Sequence, residues 1–409
     1  MKKPIITLAL SLAIGNFPNT AVADSKYETP PMFQAARILP ANLLKSPYHS
    51  VDSKVSNDGV SNHYTVKSKF GTVAADSTAE LKIRVDEMKA LSAMERVSES
   101  KQFTRQVKEG GKDAVAGAKA LVTKSVTTLK GAFVGIGKIA ERAGDALLGD
   151  PPSDAEGNRF ESMIGFSSTK RDYAAEFQVD PYSTNPLLQK RLEEIAWSGY
   201  SGKITTSVIS ALIPGGIGAF VSTAKTSDWL EGIPVQTPPS ELRKMNREKL
   251  MAMGISSDII DLFLGNTVYT PVQQTKIVQA LARMDKTADR VHFVKFAVLA
   301  RTGNAAFFRA RQAEMYANLS KNAINVERFV GVGNNAAARL SNGAVVFCFP
   351  LDYLAWTEAN ANLADALNRQ VDSLPKVQGK EIRIAGGISA AARRALESLG
   401  WKVVDNQKG

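Results

Sequence analysis

EIRIAGGISAAARRALESLGWKVV, residues 381–404, reads as a strand, a glycine turn, a helix and a second strand. Glu381 to Ala385 is a short β run, Gly386-Gly387 turns the chain, and Ser389 stands where an N-cap belongs. Gly400 then ends the helix ahead of Trp401 to Val404, closing a compact β-α-β unit. Immediately upstream, Ile324 to Val330 and Ala344 to Phe349 are strand-like, and Asn342-Gly343 between neighbouring segments is a hairpin signal. Thr357 caps a helix running to about Val371. Residues 323–409 are therefore expected to form a small α/β module.

Before this module the periodicity is helical. Residues 151–322 are expected as a helical domain that follows the breaker Gly149-Asp150-Pro151-Pro152. Asn185 caps a helix with Pro186 in its first position, and Thr270-Pro271 opens another. The run Val291 to Leu299 is apolar nearly all round and should sit centrally, with His292 as a hydrogen-bonded core residue. Between Lys203 and Lys225 no residue is charged, yet Pro214-Gly215-Gly216 interrupts the run. Two short buried helices hinged at Pro214 are expected across 204–224, against a membrane-dipping hairpin as the competing form.

Residues 77–150 carry the strongest pattern. Ser77 and Glu80 have capping-box spacing and open a helix to about Ser98. From Phe103 to Leu147 small and medium apolar residues recur every 3.67 positions on average, about the 11-residue period of a nearly straight helix. The other face holds Lys108, Lys112, Lys119, Lys124, Lys130, Lys138 and Arg142. Seven glycines in the same stretch each cost ~1 kcal/mol of helicity, so the helix needs a partner surface, either the protein interior or lipid. Those basic residues are the candidate contact with an anionic membrane or other polyanion. Residues 24–76 are expected as an irregular leader to the fold with one strand, His63 to Ala74.

The first 23 residues have a Lys2-Lys3 n-region, an apolar run from Ile5 to Ile14 and a small-residue site at Ala21-Val22-Ala23. They read as a secretory signal peptide, with the periplasm as destination and a peripheral membrane position as a variant of it. The 409 residues hold 51 basic and 40 acidic side chains, a net charge of +11, of which the leader supplies +2. An exported basic chain meets phospholipid or other envelope polyanions, or an envelope protein, rather than nucleic acid. Nothing in the sequence fixes an oligomeric state.

Catalytic signals are thin. Cys348 is alone in an apolar strand, and with only three histidines there is little material for a zinc site or a Cys-His or Ser-His-Asp arrangement. Gly331-Val332-Gly333-Asn334-Asn335-Ala336 has the shape of a dinucleotide turn with Asp352 about twenty residues on, but Ser341-Asn342-Gly343 leaves no room for the required helix. No catalytic residue, cofactor or metal is assigned. Gly386, Gly387 and Ser389, at a helix N-terminus, are the candidate anion-binding residues. The resulting expectation is an α+β, predominantly α protein: a long amphipathic helix, a helical middle domain and a small C-terminal α/β module. Its expected role is non-enzymatic binding or scaffolding in the envelope. The alternatives are an enzyme acting on an anionic ligand at the C-terminal module, and a secreted membrane-active effector.

Overall fold

The computed structural model describes residues 26–109, 166–213, 216–222, 225–321 and 324–406. Helix makes up 50% of it and strand 18%, the strands lying in three sheets. This mixed α/β architecture overturns the expectation of a predominantly helical fold with a small C-terminal α/β module. The larger part of the error lies at the N-terminal end, where the expected irregular leader holds five strands. They are β1 (Met32–Gln34), β2 (Ser50–Val51), β3 (Lys54–Asn57), β4 (Asn62–Ser68) and β5 (Gly71–Ala75). All pair antiparallel. β5 follows β4 from Tyr64↔Ala75 to Ser68↔Gly71, while β3 and β2 pair with the two ends of β4.

β1, β2 and β3, of two to four residues, leave no periodic trace in a sequence window, whereas β4 and β5 overlie the one strand expected, His63 to Ala74. The turn between β3 and β4 is built locally instead. Asn57 Oδ1 accepts the Gly59 N–H at 2.7 Å, and Asp58 Oδ1 accepts those of Ser61 at 2.7 Å and Val60 at 3.0 Å. Asn57-Asp58-Gly59 was the readable sign of that hairpin.

The Thr78–Glu99 helix lies on this sheet. Ser77 Oγ accepts the Glu80 N–H at 3.1 Å, and Glu80 reaches back to the N–H of Asp76 at 2.8 Å, one residue earlier than in a capping box. Leu81, Val85, Met88 and Leu91 share a core with Tyr64 and Val66 of β4 and with Leu188, Leu192 and Ile195 of the Pro186–Ser201 helix. Asn185 caps that helix through the N–H groups of Leu187 and Leu188, with Pro186 next. Ile204, Ile209, Ile213, Ile217 and Val221 belong to the same core. Two helices, Thr206–Ala211 and Ile217–Ser222, thus turn their apolar side chains inward.

The C-terminal sheet has the order β12-β10-β8-β7-β6. Its strands are β6 (Val326–Val332), β7 (Asn335–Leu340), β8 (Ala344–Phe349), β10 (Gly379–Ile384) and β12 (Trp401–Val404), while β9 (Tyr353–Leu354) and β11 (Gly387–Ile388) form a separate parallel pair. β8, β10 and β12 are parallel, connected by the Glu358–Asp372 and Ala390–Ser398 helices, and β6, β7 and β8 form an antiparallel meander. Alternation along β8 splits the sheet between two cores. Val346 and Cys348 face the helical middle with Phe293 and Tyr316; Val345 and Phe347 face Leu396, Val371 and Trp401. One sheet face is therefore part of the helical core rather than the wall of a separate unit.

Candidate functional site

Gly386, Gly387 and Ser389 sit where the sequence places them, at the N-terminus of the Ala390–Ser398 helix, with Ser389 Oγ accepting the Ala392 N–H at 3.0 Å. The space in front of that helix holds a carboxylate of the chain itself. Ser389 Oγ donates to Glu28 Oε2 at 2.5 Å, and the Trp356 N–H donates to the same oxygen at 2.6 Å. The Glu28 N–H returns a bond to the Trp356 carbonyl at 2.8 Å. Favourable placement of negative charge at a helix N-terminus is what the sequence anticipated, but the anion is internal. The glycines have a steric reason to be there. A Cβ on Gly386 would stand 1.9 Å from the Asp352 carbonyl oxygen, and that oxygen accepts the Gly387 N–H at 3.0 Å.

Asp352, the candidate ribose acid of the dinucleotide reading, is a half-buried clamp. Its carboxylate accepts the N–H of Asn62 at 2.9 Å and of Thr78 at 3.0 Å. Burial pushes its pKa up, and those donors act in the opposite direction. It joins β4, the start of the Thr78–Glu99 helix and the C-terminal sheet in one residue. The glycine motif itself is a hairpin: Val332 pairs with Asn335, and Gly333 takes φ +55° in the turn. A Cβ there would meet the Gln370 side chain at 2.6 Å. No helix follows, so no dipole faces a pyrophosphate.

Of the basic candidates only Lys108 lies within the described residues. It is exposed on the Lys101–Glu109 helix, whose Phe103 is buried at 4% exposure in the N-terminal core. Lys112, Lys119, Lys124, Lys130, Lys138 and Arg142 lie outside the described residues, as do the leader 1–23 and Pro214. Among the described residues no helix is long and apolar enough to cross a membrane.

The titratable groups sequence reading singled out are mostly committed to structure. Cys348 is fully buried, its thiol pushed up by burial, and its backbone N–H donates to Tyr316 Oη at 3.2 Å. His49 is buried between Ser46 Oγ at 2.8 Å and the Leu43 carbonyl at 2.9 Å. His63 bridges Asp76 at 3.0 Å and Asp58 at 3.3 Å. His292 departs from expectation: it is half-buried on a cleft wall, and neither ring nitrogen has a hydrogen-bond partner among the described residues. Among the described residues no group of three or more His, Cys, Asp or Glu side chains could hold a metal ion.

Sequence reading missed a buried ionic network on the Thr78–Glu99 helix. The Arg84 guanidinium bonds Glu87 at 3.0 Å, Glu80 at 2.5 Å, Ser183 at 3.2 Å and Thr184 at 2.6 Å. Burial works to lower the Arg84 pKa, but the Glu87 and Glu80 carboxylates outweigh it and raise it. Glu87, 1% exposed, also accepts from Asn185 Nδ2 at 2.9 Å and from the Ser183 hydroxyl. Nearby, burial pushes Asp180 up to about 6 even though it accepts the Tyr182 N–H and the Trp229 indole N–H. The i, i+3 and i, i+4 spacing of Glu80, Arg84 and Glu87 was its visible signal. Dense internal pairing fixes the 180–185 turn to the helix and leaves little capacity for a ligand.

Among the described residues, two surface clefts bear on function. One, of about 240 Å³, lies between Lys82, Ser227, Trp229, Phe307 and Arg311, and its Arg311 is tied to Glu314 at 2.7 Å. The other, of about 320 Å³, lies between the Ser257–Leu264 and Val291–Val298 helices and the β6–β7 turn. Comparison with known families, with characterised proteins and with solved structures finds no match to this chain.

Proposed function

We propose that this chain is an exported, non-enzymatic binding protein of a cell envelope that rests on an anionic membrane surface through the lysine face of residues 101–147. The observation that carries this reading is the polarity of the stripe where it begins. Phe103 is spent on the protein interior, while Lys101 and Lys108 are exposed. With Phe103 turned inward, the contact is read as electrostatic, through outward lysines, rather than as an insertion of Phe103 into lipid. Residues 103–147 carry eight basic against four acidic side chains, and a basic residue near an anionic bilayer contributes about 1 kcal/mol. Support also comes from the Gly386–Ser389 loop, whose anion is internal, which removes the strongest sequence argument for an anionic substrate there.

Flotation with vesicles tests the proposal. The mature chain is expected to float with phosphatidylglycerol-containing vesicles at low salt, to stay behind with neutral ones, and to detach at about 1 M salt, where the screening length is ~3 Å. Replacing Lys108, Lys112 and Lys119 by Glu should abolish flotation. Failure to float at low salt, or flotation indifferent to salt and to these changes, would overturn it.

A further inference from the structure

The cleft beside His292 combines exposed apolar side chains with uncommitted basic ones. Leu262 is 61% exposed and Leu299 37%, two of five large apolar side chains left open to solvent among the described residues. With Ile259 and Phe296 they form an apolar wall, and His292 and Lys295 stand on the same cleft. Neither cation-forming group is committed: Lys295 has no carboxylate within 4 Å among the described residues, and the His292 ring nitrogens have no partner there. No acidic residue lines the cleft. Asp258 is near Lys295 but lies off the cleft wall and is held by Ser256 and its own helix.

The sequence keeps this cleft open. Gly331 has no Cβ, and one added there would come within 3.1 Å of His292 Nδ1. The imidazole therefore lies directly over the β6 backbone and faces the void. At about 320 Å³ the cleft is at the small end of the range of ligand pockets, ~300–1,000 Å³, and has their usual make-up of apolar walls with few polar groups.

We infer that this cleft binds a single-chain fatty carboxylate, its tail against Leu262, Leu299, Ile259 and Phe296 and its head toward Lys295 and His292. Charge complementarity decides the head, because a cation would meet the Lys295 ammonium with no acid on the wall to offset it. The small volume decides the tail, since it favours one chain over two. The inference does not depend on the membrane contact proposed above, which uses other residues.

Calorimetric titration of the full mature chain with laurate, below its micellar concentration, tests it. One-to-one binding is expected, weakened about tenfold or more by Leu262→Asp, the factor that follows from losing one apolar side chain from the wall. Lys295→Glu should also weaken laurate while strengthening dodecyltrimethylammonium. Both positions are exposed, so unchanged far-UV circular dichroism and melting temperature separate lost binding from lost folding. Laurate binding that ignores Leu262→Asp, or a Lys295→Glu variant with unaltered head-group preference, would overturn the assignment. So would a concentration-dependent dimer dispersed by Leu262→Asp without any laurate binding, which would make a second copy of the chain the occupant.

Discussion

Two glycine turns in the C-terminal sheet region carry the sequence signals most easily read as ligand sites, and the structure uses them in opposite ways. At Gly386–Ser389 the chain supplies its own anion, Glu28, and every donor in front of the helix named above is engaged. At Gly331–Asn334 the motif is only a hairpin, yet beside it an imidazole and an ammonium have no partner among the described residues. The lesson is physical: a loop's capacity to bind is measured by the polar groups the fold leaves uncommitted, not by resemblance of the loop to a motif.

The largest expected effect comes from the sterics of the two turns. Gly386→Val places side-chain atoms against the backbone carbonyl of Asp352, which cannot swing aside, and should cost about 3 kcal/mol of stability. Gly331→Ala meets only the His292 ring, which has room on its cleft side, and should cost under ~1 kcal/mol. Urea unfolding of both variants checks the ordering. Equal losses would mean that the first turn is no more tightly closed than the second.

The next effect concerns the internal anion. Hydrogen bonds to a charged group contribute about 1.5–3 kcal/mol, so Glu28→Ala should destabilise by that order. Ser389→Ala removes both the cap and one bond to Glu28, at about 1–2 kcal/mol. Because the two residues touch, the double variant should lose less than the sum, with a coupling of at least ~0.5 kcal/mol. Strict additivity in the same unfolding assay would show that Glu28 does not close the loop, and would reopen Gly386–Ser389 as a site for an outside anion.

Legibility in the sequence followed the length and regularity of elements. The β10-helix-β12 unit, the Asn342-Gly343 hairpin and the Asn185-Pro186 and Thr270-Pro271 helix starts were readable because each rests on local chemistry: a cap, a proline or a left-handed glycine. Of the five N-terminal strands only the β4–β5 stretch, expected as a single strand from His63 to Ala74, was readable; β1, β2 and β3 were not, because they have two to four residues and their pairing is decided by partners outside themselves. The Gly386–Ser389 loop stands at a helix start, where the sequence puts it. Its occupant was unreadable, since Glu28 and Ser389 are 361 positions apart. His292 was expected in the core because its neighbours are apolar, but Phe293, Val294, Phe296 and Ala297 take the buried side of the Val291–Val298 helix and leave it on the rim.

The smallest effect concerns a histidine that the fold commits to two carboxylates, and it is read through pH. Burial alone would lower the pKa of His63, but the hydrogen bond to Asp76 and the charge of Asp58 outweigh it and raise it above 6.5. A group whose pKa is higher folded than unfolded contributes stability that is complete below the unfolded value and lost as pH rises through the folded one. His63 should therefore add stability below about pH 6.5 that disappears on the alkaline side. With all three side chains 39–48% exposed, the gain is of the order of an exposed ion pair, about 0.2–1 kcal/mol. The Asp58 pKa is lowered: burial would raise it, but the N–H groups of Ser61 and Val60 and the nearby His63 prevail. Its contribution is thus lost only in strong acid, as pH falls through a value below 3.8. Because burial lowers the His49 pKa and gives it the opposite pH dependence, the quantity to follow in urea unfolding is the stability difference between parent and His63→Gln, which should shrink as pH rises across neutrality. A parent-minus-variant difference that stays constant across that range would show that Asp76 and Asp58 do not hold His63.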